Sequence, residues 1–220
     1  MCPSQQTALK AGLAVLIVVV LALLVVREAR GRGSYSVESV ALSGWTLEAS
    51  PPNDPALVAL RPPPPLSTDL FQQLLRRSGQ PLVAPAHPSV PLVLRGEYGD
   101  SLQGVLSVAD LLDAARDAGV EAARFEPVCM GLRREPAPGR SGELFFVLFD
   151  APAFDKFRDD LTPMFPEHAG AYPYEPKALS PILTIAATDR EFAQWWPIAL
   201  SGRTACTQKL RIRNEDSRIR

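Results

Sequence analysis

An uninterrupted apolar run near the start limits what this chain can fold into more than any other feature. Residues 11–26 read AGLAVLIVVVLALLVV, without a charge or a polar side chain. As a helix the run rises about 24 Å, short of the roughly 30 Å hydrocarbon core of a bilayer. Ala8 and Leu9 extend it, and Lys10 can carry its ammonium out to the interface. A helix with valine and leucine on every side does not suit a one-sided globular core. A cleaved signal peptide needs a small-x-small site after the run, where VVREARGRG stands instead. The expectation is therefore a retained signal anchor at 11–26, with the lipid bilayer as its partner. Residues 1–10 form a short tail before it and 27–34 a linker after it.

Orientation rests on two opposed arguments. Arg27, Arg30 and Arg32 outnumber Lys10 and the amino terminus, which by the positive-inside rule places the following domain in the cytoplasm. A short tail before one anchor is instead the common arrangement of an exported domain. The expectation adopted is single-pass, with the soluble part extracytoplasmic.

A chain of 220 residues accommodates one domain plus an anchor. Its net charge of -1 lacks the basic excess of a nucleic-acid binder, so no nucleic acid is expected as a partner. The 22 prolines are clustered and leave apolar runs intact between them, which argues against wholesale disorder. The cysteines are Cys2, Cys129 and Cys206, without a C-x-x-C pair, and His87 and His168 have no ligand at zinc spacing. Neither a metal nor a cofactor is expected. Cys129 and Cys206 are read as two separate half-buried thiols, with a bridge as the alternative in an oxidising compartment.

Beyond the linker, Ser34–Ser50 alternates and is β-branched, predicting one or two strands. Ala56–Leu60 is a short strand. Pro62–Pro65 is expected to be extended polyproline, a stiff spacer. Ser67 or Thr68 then caps a helix with Leu70, Phe71, Leu74 and Leu75 on one stripe, ended by Gly79. Val90–Arg95 reads as a strand. Ser107-x-x-Asp110 resembles a capping box opening a helix that Gly119 stops. Ala122–Arg134 is a long strand candidate, PAPGRSG a turn, and Glu143–Phe149 (ELFFVLF) the strongest strand. Asp150 is expected to cap a helix carrying Phe154, Phe157 and Leu161. Ile182–Thr188 is a further strand.

From Val90 to Thr188 the order β-α-β-β-α-β is that of a ferredoxin-like antiparallel sheet with helices on one face. A right-handed crossover puts the strands starting at Val90 and Glu143 side by side and parallel. ELFFVLF is apolar at consecutive positions and needs cover on both faces. The predicted fold class is therefore α+β: a transmembrane helix, then a βαββαβ core at 90–188. An additional N-terminal strand and helix layer at 35–89 covers its other face. A terminal helix at 189–207 completes one domain spanning 35–207, and 208–220 is a charged flexible tail.

That topology gathers Glu97, Asp150, Arg124 and Lys177 at one rim, near the loop bearing His168, Tyr172 and Tyr174. Two carboxylates and a histidine at one place suit acid–base work, so Glu97, Asp150 and His168 are the candidate catalytic set. Arg124, Lys177, Tyr172, Tyr174 and the Trp195–Trp196 pair are the candidate binding residues. The ordinary structural roles are equally concrete: Asp150 as a helix cap, Glu97 in a turn, His168 packed in a loop. G-x-S-x-G, phosphate-loop and dinucleotide motifs are all missing. The function expected is a membrane-tethered, non-enzymatic binding or protein-interaction domain. The alternative is a hydrolase-like enzyme using the acid–base cluster at the strand ends.

Overall fold

Two sheets, not one, emerge in the computed structural model, which describes residues 34–99, 103, 105–137, 140–164, 174–190 and 206–214. The apolar run at 11–26 lies outside them. Among the described residues no helix is long and apolar enough to cross a membrane.

The chain enters at β1 (Tyr35–Glu38), passes one 3-10 turn, and continues as β2 (Thr46–Ala49) and β3 (Ala56–Arg61). Helix α1 (Pro64–Ser78) follows directly. The polyproline expectation is corrected here: Pro63 is extended, but Pro64 and Pro65 form the first helical turn. Their missing N–H groups have no intrahelical partner at that position, and their fixed φ suits it. Gly79 ends α1 at φ 65 and Gly119 ends α2 (Val108–Asp117) at φ 77, a left-handed backbone that favours glycine. The capping box forms as read. The Ser107 hydroxyl accepts from the Asp110 amide at 3.2 Å, and Asp110 accepts from the Ser107 amide at 2.8 Å. The Ser107 hydroxyl, donating to the Asp110 carboxylate at 2.7 Å, and then the Ser107 amide hold that carboxyl below its ordinary pKa.

β4 (Val90–Leu94) lies antiparallel to β3 in a three-stranded sheet ordered β2-β3-β4. The predicted parallel neighbourhood with the Glu143 strand is therefore wrong, and with it the ferredoxin-like order. β6 (Arg140–Asp150) has both edges occupied by antiparallel strands close to it in sequence: β5 (Glu126–Ala137) across the turn, and β7 (Ile182–Ala187). No edge is left for β4. The observed class is mixed α+β, with the second sheet of five strands ordered β1-β8-β5-β6-β7.

β8 (Cys206–Arg213) is a second correction, since it falls where a charged tail was expected. Thr207, Lys209, Arg211 and Arg213 are exposed, while Cys206, Gln208 and Leu210 are half-buried. That period-2 pattern is a strand's, but the charges disguise it. β8 runs parallel to β1 and antiparallel to β5. Cys206 begins a strand rather than ending the predicted terminal helix, and a disulfide joins it to Cys129 on β5. The expectation of separate thiols is corrected accordingly.

β1 is the sheet's edge strand, and α1 covers it. Gln73 accepts from the Ser36 amide at 3.0 Å and donates to the Ser36 carbonyl at 2.7 Å. One side-chain amide thus occupies both outward backbone groups of Ser36, which an edge strand would otherwise offer to another chain.

ELFFVLF is inside the sheet, with Leu144, Phe146, Val147 and Phe149 buried and Phe145 and Leu148 half-buried. Val147 and Phe149 join a core with Leu70 and Leu74 of α1, Leu111 of α2, and Phe154, Phe157 and Leu161 of helix α3 (Pro152–Leu161). The early strands and the helices therefore meet in one core, where opposite faces were expected. Leu144 and Phe146 are buried outside that cluster. Trp45 stacks on Phe125 at 4.9 Å and meets Phe149 edge-on at 5.4 Å, and its indole N–H donates to the Leu42 carbonyl.

Candidate functional site

Helix α3 presents Phe154, Phe157, Arg158 and Leu161 to the interior. The spacing i, i+3, i+4, i+7 defines one helical face, and Arg158 is the charged residue on it. Its side chain is 1 % exposed. A buried guanidinium must satisfy all its donors. Nη1 donates to Glu97 Oε2 at 2.9 Å and to the Leu92 carbonyl at 3.1 Å. Nη2 donates to Glu97 Oε1 at 2.8 Å and to the Glu175 carbonyl at 2.9 Å, and Nε donates to the Pro176 carbonyl at 2.9 Å. Every N–H of the guanidinium is taken, and the Glu97 carboxylate is held by a bidentate fork.

Tyr174 completes this cluster. Its ring lies 4.8 Å from the guanidinium carbon, and its hydroxyl donates to the Arg158 carbonyl at 2.9 Å. Burial pushes the phenol well above its ordinary value of 10.0, against the opposing charge of Arg158. A phenol with a raised folded-state pKa contributes stability below its ordinary value and loses it as the pH climbs toward the folded one. Stability is therefore expected to decline above about pH 10, and Tyr174→Phe should flatten that alkaline limb. Urea midpoints across a pH series would check it, and an unchanged limb in the variant would count against the assignment.

The candidate set thus divides. Glu97 and Tyr174 come together around Arg158, which the sequence reading missed although its place on an apolar face marked it. Asp150 ends β6 and does not cap α3: Ala151 stands at that position, with no side-chain bond. Asp150 instead neighbours Asp155. The Asp155 carboxyl is raised first by partial burial and then by Asp159 and Asp150, while Lys177 opposes the shift. Arg124 pairs with Glu126 at 3.3 Å. His168, Tyr172, Trp195 and Trp196 lie outside the described residues. His87 is exposed beside a pocket of about 200 Å³ rimmed by Asn53, Asp54 and prolines. Arg134 on β5 is paired with Glu143 at 2.7 Å.

A larger groove, of about 600 Å³, opens where β8 meets β5. Glu126 to Cys129 form one wall, Cys206 to Leu210 the other, and Asp150 closes an end. Glu126 and Asp150 are directly opposed in the β5–β6 register. Like charges facing each other across strands are unfavourable, and Arg124 on Glu126 offsets part of that. Lys209 adds a cation on the other wall. The Thr207 hydroxyl is committed to the Met130 carbonyl at 3.1 Å, and both lining cysteines are in the disulfide. The groove thus offers charges of both signs and backbone walls held by a covalent tie. Among the described residues no histidine, serine or thiol lines it. Among the described residues no group of three or more His, Cys, Asp and Glu side chains is placed to hold a metal ion. No protein-family model, no curated protein and no solved structure matches this chain.

Proposed function

We propose that this chain is a membrane-tethered binding domain, anchored through residues 11–26, with its soluble part in an oxidising, extracytoplasmic compartment. Its contact site is the groove beside the Cys129–Cys206 disulfide, and its partner is a protein. The groove carries the reading. Its volume falls within the range of ligand sites, and its walls offer charged recognition groups, the opposed carboxylates of Glu126 and Asp150 and the side chain of Lys209. The bidentate capture of Glu97 by Arg158 speaks against the acid–base alternative, because both carboxylate oxygens are committed to a buried structural cation. The disulfide speaks for the compartment, since such bonds persist where thiols are not kept reduced.

Two measurements test it. In a Cys2→Ser background, intact cells are treated with reductant and then with a membrane-impermeant maleimide. Labelling of Cys129 and Cys206, with the chain retained in carbonate-washed membranes, is the expected result. A chain released by carbonate loses the anchor, and one labelled only after lysis loses the compartment. A photo-crosslinking residue at Thr207 should then capture a protein adduct from native membranes that the same residue at Gln72 does not. Equal adducts from both positions would sink the groove as the contact site.

A further inference from the structure

We infer that the Cys129–Cys206 disulfide is a releasable latch that holds the C-terminal strand in the sheet and thereby keeps the groove formed. β8 touches β5 over a short register, Cys129↔Lys209 to Gly131↔Cys206, and its remaining length pairs with β1. None of its residues is buried, and Ile212 is 42 % exposed. By contrast, every residue of β7 is buried. A strand without buried side chains gains little from the hydrophobic effect, yet its backbone must still be ordered. The covalent tie supplies what burial does not.

The bond is placed for exchange. Both half-cystines line the groove; Cys129 is 4 % exposed and Cys206 is half-buried. The thiolate of an external dithiol attacks the Cys206 sulfur, and Cys129 leaves as a thiolate that takes up a proton. The second thiol of the dithiol resolves the mixed disulfide and releases Cys206 as a thiol. The protein gains two electrons and two protons as two thiols form, and the dithiol is oxidised to its disulfide.

Release propagates to β1. Ser36 directs its backbone groups to Gln73, so Tyr35 and Val37 direct theirs to β8 and lose them when it departs. The groove loses one wall in the same event. That the release would switch partner contact rests on the proposed function; the exchange measurement below reads the latch alone, so the two fail separately.

The full chain in mild detergent is compared oxidised and after dithiothreitol, with thiols counted by alkylation and mass. Backbone hydrogen exchange at 206–213 and 34–38 should accelerate about tenfold or more on reduction, while 56–61, 90–94 and 143–149 stay protected. Cys206→Ser without reductant should reproduce the reduced pattern. Three results overturn the latch. In one, β8 stays protected with both thiols alkylated. In another, protection is lost at 143–149 as well, making the bond a staple for the whole domain. In the third, dithiothreitol fails to reduce the bond without denaturant.

Discussion

Arg158→Ala is expected to cost the domain about 3–5 kcal/mol of folding stability. The change removes the cation and strands its acceptors together. Glu97 keeps a charge on a side chain only 15 % exposed, and the carbonyls of Leu92, Glu175 and Pro176 lose their donors. Arg158→Lys should recover little, because one ammonium has three donors and no planar fork to match a carboxylate plus three carbonyls. The informative variant is Arg158→Met with Glu97→Leu. Replacing both charges with apolar groups removes the desolvation cost along with the attraction, so the pair should be closer to wild type than Arg158→Ala alone. Urea denaturation followed by far-ultraviolet circular dichroism measures all of these. If Arg158→Ala cost under about 1 kcal/mol, the value expected of an exposed pair, the burial argument would be wrong.

Trp45→Ala is expected to cost about 3–5 kcal/mol. Trp45 is 6 % exposed and touches two rings, Phe125 and Phe149, which themselves meet at 5.9 Å. Truncation opens a cavity among rings held by β2, β5 and β6 and their flanks, and it leaves the Leu42 carbonyl without the indole donor. A double-mutant cycle with Phe149→Leu should give a coupling of about 0.5–1.5 kcal/mol, the edge-to-face share beyond area burial. Additive losses would mean that the two rings act independently. A midpoint shift with constant urea slope would locate the effect in native stability and not in the denatured state.

Both predictions concern residues that sequence reading treated unequally. Trp45 sat unremarked in a strand candidate. Glu97 was selected for chemistry, yet Arg158 employs it as a structural counter-ion. Arg158 could have been found, since an arginine spaced with Phe154, Phe157 and Leu161 lies on the helix's apolar face. Asp150 was placed at a helix cap because aspartate before Pro-x-Phe resembles one, whereas strand pairing carries it into β6 and toward the groove. The groove itself could not be read. Its two walls come from segments 77 residues apart joined by a disulfide, and no local pattern links them.

What the sequence determined by itself was local. The glycines at 79 and 119, the Ser107–Asp110 box, and the consecutive apolar residues of ELFFVLF each act through bonds or sterics within a few residues. Which strands became neighbours was decided by tertiary structure alone. β6 can pair with any strand of suitable pattern, and the choice of β7 over β4 depends on how all the helices pack at once. β8 carries too little apolar surface to announce itself, and it acquires strand character only from two neighbours and a covalent bond that the fold brings within reach.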